Sequence, residues 1–187
     1  YETQLPLLIE DWRNRWGQGD FPFAWIQLPF SSAKQVAWAR IRESMRRSLS
    51  VPNTGMAITI DAGEQNDIHP RDKQTVGHRL AQWALSAVYG YSLLPTGPVY
   101  RSSQIRGDSV VITFDHADGL KAKDGRVRGF AVAGKDRMFV HADAVIKGNT
   151  VVIRSDQIDR PAAVRYAWAA NPVISLYNSA DLPASPF

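Results

Sequence analysis

The sequence predicts an α/β fold with a parallel sheet in residues 1–92, followed by an all-β, sandwich-like fold in residues 93–187. Before residue 92, segments with helical spacing of apolar residues alternate with short apolar runs of strand length. After residue 92 only strand patterns appear. The chain has 187 residues, which is enough for one large domain or two small ones.

The first part of the chain predicts the order helix, strand, helix, strand, loop, helix. Residues 4–16 have the spacing of an amphipathic helix that ends at Gly17, and residues 23–28 and 56–60 have the composition of buried parallel strands. A second helix follows Ser31 or Ser32, either of which can cap it, and a third spans residues 76–87. Two strands are too few for a stable sheet of this kind, so we expect further strands from a segment upstream of Tyr1.

The sequence pattern also predicts whether the tryptophans and the clustered arginines of this part are buried or exposed. Periodicity predicts that most tryptophans of this part are core residues, namely Trp12, Trp16, Trp25, Trp38 and Trp83. The basic cluster is interpreted as the solvated face of a helix rather than as a phosphate site, and it comprises Arg40, Arg42, Arg46 and Arg47. We therefore expect no nucleic-acid partner.

The second part of the chain contains several short strand patterns. These occupy residues 110–114, 129–133, 138–140, 144–146, 150–153 and 163–168. Gly148-Asn149 predicts a hairpin turn between two of them. The tail, residues 171–187, is rich in Pro, Asn and Ser and is predicted to pack as irregular chain. Trp168 and Tyr177 are interpreted as packing residues, with stacking on a sugar ring as the alternative.

Composition excludes several classes of protein. There are no cysteines, which rules out disulfides, zinc–thiolate sites and a thiol nucleophile. No apolar run approaches the ~20 residues that a membrane span needs, so no membrane-spanning segment is expected. His116 and His141 lack ligand partners at metal-binding spacing, and His78 is interpreted as a helix-surface residue.

The side chains best suited to catalysis lie in the loop after the second strand, residues 61–70. It holds three carboxylates, Asp61, Glu64 and Asp67, and the imidazole of His69. In open α/β sheets, ligands and catalytic groups collect at the carboxyl ends of the strands. A carboxylate beside a histidine fixes the ring tautomer and stabilises the imidazolium that forms in acyl transfer. Spacing alone leaves a surface-loop histidine as the alternative.

Several motifs, in this order and spacing, resemble the sialate O-acetylesterase family of the SGNH hydrolases. They lie in residues 8–13, 22–23, 27–28, 53–57, 66–74, 76–77, 80–84, 164–168, 176–178 and 181–187. The resemblance implies that residues 1–92 are the C-terminal part of an SGNH hydrolase domain and that residues 93–187 form an accessory domain. It also implies removal of acetyl groups from sugars by a Ser-His-Asp mechanism, with His69 as base and Asp67 as its partner.

Two departures from the family pattern matter. The broader SGNH pattern is Asp-x-x-His, but Asn66 stands three residues before His69, so Asp61 is kept as the alternative orienting carboxylate. The Ser-containing segments that carry the nucleophile and part of the oxyanion hole are absent. We therefore expect an N-terminal segment, or a separate chain of the same protein, to supply both.

The resemblance implies a substrate class and a compartment. The substrate would be an acetylated sialic acid or an acetylated plant polysaccharide such as xylan or xyloglucan, in the periplasm or outside the cell. No metal or organic cofactor is expected. The alternative function is a non-catalytic glycan-binding module in which the β region holds the glycan.

Overall fold

The computed structural model describes residues 1–31 and 36–187. The chain divides into two compact units, Tyr1–Thr96 and Gly97–Phe187, called unit 1 and unit 2 here. No helix among the described residues is long and apolar enough to cross a membrane.

Unit 1 has the predicted order of helices and strands. Its elements are α1 (Gln4–Trp16), β1 (Phe23–Ile26), α2 (Val36–Arg47) with a 3-10 turn (Ser48–Ser50), β2 (Thr54–Ala57) and α3 (Lys73–Ala87). Gly17 ends α1 in the left-handed conformation, as its place in the sequence predicts. The possible cap Ser32 lies outside the described residues.

The two strands of unit 1 pair in parallel, as predicted. The register runs from Phe23 opposite Thr54 to Ile26 opposite Ala57. The second strand ends before residue 60, the predicted limit. The Gln27 N–H donates to the Ala57 carbonyl at 2.9 Å, but the Gln27 carbonyl then accepts the Thr59 hydroxyl rather than a backbone N–H. Helix α3 packs directly on β2: a Cβ at Gly55 would lie 1.9 Å from Trp83 Nε1. Only glycine therefore fits at this position.

The core prediction for the tryptophans is right for Trp25 and Trp83, each 8% exposed, and wrong for Trp12 and Trp16, which are 42% and 59% exposed. Helix α1 buries Leu5, Ile9 and Arg13. Because an α-helix turns by about 100° per residue, Trp12 and Trp16 lie on the same side of α1 as Leu5 and Ile9, so the described residues of unit 1 leave these two side chains largely uncovered. They stack on each other instead, with ring centroids 5.8 Å apart.

The interpretation of the basic cluster as a solvated face is wrong for Arg42, which is fully buried. Its Nε donates to the Leu28 carbonyl at 2.9 Å, and its Nη2 donates to the Pro29 carbonyl. Burial lowers the pKa of this guanidinium to about 10. Arg42 thereby fixes the chain that follows β1, whereas Arg40 and Arg47 are exposed as predicted.

Unit 2 contains only strands among its described elements. They are β3 (Val99–Arg106), β4 (Ser109–Asp115), β5 (Lys121–Ala122), β6 (Phe130–Ala133), β7 (Val140–His141), β8 (Asp143–Lys147), β9 (Thr150–Arg154), β10 (Ala163–Tyr166) and β11 (Leu176–Tyr177). They form three antiparallel sheets in the orders β3-β4-β9-β8, β10-β6-β7 and β11-β5. The predicted hairpin at Gly148-Asn149 is confirmed, because Lys147 pairs with Thr150 across it.

The strands of unit 2 differ from the sequence pattern in several places, and the two-residue strand β5 was not predicted. Strand β3 was not predicted, because six of its eight residues are exposed and the strand shows no apolar alternation. Met138 lies outside any strand and is 68% exposed. The tail is less irregular than expected: it contributes β11, and its last six residues are all buried.

The core of unit 2 centres on an aromatic cluster that includes Tyr166. The Tyr166 ring lies 4.8 Å from that of Phe130, and its hydroxyl accepts the backbone N–H groups of Ser175 at 3.0 Å and Leu176 at 3.1 Å. Burial raises the pKa of this hydroxyl, so it remains neutral and keeps its proton. One phenol thus satisfies two buried donors of the tail.

We expect Tyr166→Phe to lower the free energy of unfolding by about 1–3 kcal/mol, because it leaves buried N–H groups without their acceptor. Urea unfolding of the full chain measures this. Tyr100→Phe is the matched control, since the Tyr100 hydroxyl makes an exposed contact with Ser103 and should cost no more than about 0.5 kcal/mol. Equal losses in the two variants would contradict the role assigned to Tyr166.

Candidate active site

The loop that follows β2 lies at the carboxyl edge of the parallel pair. Residues 58–60, which lead into it, are fully buried. A Cβ at Gly63 would stand 2.2 Å from the Phe30 carbonyl oxygen, so this loop touches the chain that follows β1. Because parallel strands end at the same edge, this contact brings together the two loops in which catalytic groups of such sheets collect.

The three carboxylates of the loop have three different partners. Asp61 forms a two-pronged ion pair with Arg79 of α3, with Oδ2 to Nη2 at 2.8 Å. The same guanidinium donates to the Ile58 carbonyl at 2.8 Å, which ties the end of the strand to the helix. Glu64 Oε1 accepts the backbone N–H of Arg71 at 3.3 Å and so closes the loop on itself. Both contacts support the loop structurally.

Asp67 is the carboxylate that contacts His69. Its Oδ1 accepts the His69 backbone N–H at 2.8 Å and lies 3.2 Å from the ring Nδ1. The backbone N–H of His69 is the main cause that holds the pKa of the Asp67 carboxyl below its usual value, so the carboxylate is charged at neutral pH. In the tautomer in which Nδ1 donates to this carboxylate, Nε2 carries a lone pair.

The His69 ring is open to solvent. Its side chain is 79% exposed and that of Asp67 is 50% exposed. Next to the pair, Ile68 is an exposed apolar side chain. The geometry can therefore present a base at the surface of unit 1, and it leaves room for another segment to approach Nε2.

The structure brings together two of the sequence-predicted residues, His69 and Asp67, while the alternative carboxylate Asp61 is bound by Arg79. The catalytic roles of His69 and Asp67 stay predictions. His78 is exposed on α3, as interpreted from the sequence. Within residues 1–31 and 36–187, no group of three or more His, Asp or Glu side chains is arranged to hold a metal ion.

Sequence reasoning missed the residues that support the loop, above all Arg79. Its signal was present in the sequence, because Arg79 shares a helix face with Val76 and Trp83, the two buried residues of α3. A charged residue on an apolar helix face must find a partner inside the fold. Here the partners are Asp61 and a strand-end carbonyl.

No serine in the described part of the chain forms a hydrogen bond with His69; its described side-chain partner is Asp67. Ser44, Ser48 and Ser86 each donate to a backbone carbonyl within unit 1. None of these three hydroxyls is presented to the Asp67–His69 pair.

The chain is similar to known esterases, although no protein-family model matches it. Over its whole length the chain is similar to the sialate O-acetylesterases of Mus musculus and Homo sapiens, with 29% and 27% identity. It spans only 40% and 42% of the length of these two relatives.

A solved structure gives a closer match. A carbohydrate acetylesterase from Xanthomonas citri is 40% identical and superposes on the whole chain with a TM-score of 0.95. This chain again covers less than half of that protein, 45% of its length.

Proposed function

From the confirmed resemblance of this chain to the sialate O-acetylesterase family, we propose that it is the C-terminal part of a serine-type carbohydrate O-acetylesterase. Residues 1–92 contribute the end of an SGNH-type sheet, and residues 93–187 contribute a sandwich-like accessory domain. The substrate is an acetylated sugar, either a sialic acid or a plant polysaccharide such as xylan or xyloglucan. Such substrates lie in the periplasm or outside the cell, where we place the protein.

The observation that carries the proposal is the contact between Asp67 and His69. Asp67 Oδ1 lies 3.2 Å from His69 Nδ1, and it also accepts the backbone N–H of His69 at 2.8 Å, which fixes the position of the carboxylate. This holds the ring in the tautomer that a general base needs, with Nε2 free to accept a proton. Because no other carboxylate of the loop serves the ring, Asp67 rather than Asp61 is the orienting group.

The proposed reaction proceeds through an acyl-enzyme. As the serine Oγ attacks the acetyl carbonyl, His69 Nε2 takes the hydroxyl proton, and the imidazolium is stabilised by Asp67. The imidazolium then protonates the leaving sugar oxygen when its bond to the acetyl carbon breaks. Water repeats the cycle on the acetyl-serine and releases acetate. Each oxyanion is stabilised by donors outside residues 1–187.

An N-terminal segment of the same protein supplies the serine and those donors. Unit 1 favours such a partner, because the outer edges of its two strands are unpaired among the described residues. It also exposes large apolar side chains on several elements, including Trp12, Trp16, Ile26, Ile68 and Leu85. Exposed apolar side chains of this size, two of which, Trp12 and Trp16, stack on each other, favour a protein contact at unit 1.

A non-catalytic glycan-binding module is the second candidate function. The observation that favours it is a cavity of about 580 Å³ lined by arginines in unit 2. This reading predicts sugar binding without any acetate release.

The deciding experiment is release of acetate from an acetylated sugar by the complete protein, compared with residues 1–187 alone. We expect turnover by the complete protein and none above background by the shorter chain. If the complete protein releases no acetate from acetylated sialic acid, xylan or xyloglucan, the hydrolase proposal is wrong and the glycan-binding module remains. A folded, monomeric 1–187 chain that hydrolyses a simple acetyl ester at enzyme-like rates would refute the need for an N-terminal segment.

A further inference from the structure

Unit 2 contains a cavity of about 580 Å³ whose lining residues all lie between residues 126 and 173. Its floor is the small three-stranded sheet. Arg165 of β10 pairs with Ala131 of β6, which in turn pairs with His141 of β7. Side chains directly opposite each other point to the same face, so these three form one row across the sheet. The small Ala131 between two long polar side chains makes the row concave.

The lining has an excess of positive charge. It includes three arginines, Arg126, Arg128 and Arg165, against one carboxylate, Asp143. Arg126 and Arg128 are exposed and form no ion pair with any residue that the structure describes. A concave, basic surface of this kind raises the local concentration of anions.

Residues 126–129, called the rim here, line one part of the cavity and carry two of these arginines. Hydrogen bonds hold their backbone in place. The Arg128 backbone N–H donates to Ser175 Oγ at 2.8 Å, and Ser175 Oγ donates back to the Arg128 carbonyl at 3.1 Å. Next to it, Gly129 has φ of +86°, and a Cβ there would stand 2.5 Å from the Val173 carbonyl oxygen. The backbone of the rim is therefore fixed by the buried Ser175, although the guanidinium groups reach solvent.

The third arginine is oriented by aromatic rings. The Arg165 guanidinium lies 3.9 Å from the ring centroid of Phe139 and 4.6 Å from that of Trp168. Stacking on aromatic faces sets the plane of a guanidinium, whose planar fork of N–H groups matches a carboxylate. The restricted plane reduces the rotamer entropy that ligand binding would cost.

We propose that this cavity binds the carboxylate of an acidic sugar residue, a uronic or sialic acid, in the glycan on which the protein acts. Arginine binds a carboxylate through two parallel hydrogen bonds, which favours this group over a neutral hydroxyl. Asp143 disfavours a more highly charged anion and offers an acceptor to sugar hydroxyls. The volume falls within the ~300–1,000 Å³ typical of small-molecule sites. The choice of a sugar as the ligand rests on the proposed function.

The test is titration of the complete protein with glucuronic acid and N-acetylneuraminic acid, with glucose as the neutral ring and acetate as the carboxylate without a ring. The indole N–H signal of Trp168 in an NMR spectrum reports occupancy of the cavity. We expect at least one of the two acids to bind about tenfold more tightly than glucose or acetate, and added salt to weaken its binding. The acid that binds more tightly identifies the class of glycan.

Variants locate the site. The double variant Arg126→Gln with Arg128→Gln should weaken acid binding at least about tenfold, since it removes two charge-assisted donors. Ala131→Leu should do the same by filling the floor while keeping every charge. Arg106→Gln is the control, because this exposed arginine of β3 contacts Gln104 and does not line the cavity.

Several results would overturn the inference: equal affinity for glucose, equal affinity for acetate, or unchanged acid binding in both cavity variants. Its failure can be told apart from failure of the proposed function. A complete protein that binds sugar acids here but releases no acetate refutes only the hydrolase proposal. One that releases acetate but binds no sugar acid at Trp168 refutes only this inference.

Discussion

Replacing His69 by alanine in the complete protein is expected to lower kcat for acetyl-ester hydrolysis by roughly 10⁴- to 10⁶-fold. The members of a Ser-His-Asp triad act as a unit, so the loss of the base alone removes most of the catalysis. KM should change little, because the ring is proposed to act on the serine proton rather than to bind the sugar. Steady-state kinetics with a simple acetyl ester measure both constants.

The fold of this variant should be unaffected, since the His69 side chain is 79% exposed. His78→Ala is the matched control: His78 is also an exposed histidine of unit 1, and its replacement should leave kcat within about twofold of the parent, as expected for a surface substitution. Near-normal turnover in His69→Ala would assign the base to another residue.

Replacing Asp67 by asparagine is expected to lower kcat by roughly 10²- to 10⁴-fold. An amide can accept a hydrogen bond, but it cannot stabilise the imidazolium by charge, and it can hold the ring in the wrong tautomer. The lowered pKa of Asp67 means that the carboxylate is charged wherever the enzyme is assayed near neutral pH. The loss should therefore be present across that range.

Asp61→Asn separates the two candidate carboxylates. It removes the charge that neutralises Arg79, whose side chain is only 10% exposed, so the free energy of unfolding should fall by about 1–3 kcal/mol. In the fraction that remains folded, kcat should stay within about tenfold of the parent, as expected if Asp61 only supports the loop. If Asp61→Asn abolishes turnover while Asp67→Asn is active and stable, the roles proposed for these residues are reversed.

The amino-acid sequence alone determined the features that depend on near neighbours in the chain. The spacing of apolar residues located α1 and the order of helices and strands, and Gly148-Asn149 located the hairpin between β8 and β9. The contact between Asp67 and His69 is also local, because only one residue separates them and a turn suffices to join them. Such features follow from periodicity and turn chemistry.

Only the tertiary structure decided where charged and aromatic side chains lie. Arg42 is buried and Arg79 is partly buried, since backbone carbonyls beyond the ends of β1 and β2, distant in sequence, accept their hydrogen bonds. Trp12 lies on the same side of α1 as the buried Leu5 and Ile9, yet it is exposed because the described residues of unit 1 do not cover it. The same holds for the basic cavity of unit 2, where Arg165 and His141 share one face only through the register of three strands. Register and burial depend on partners that lie far away along the chain, and a local pattern does not encode them.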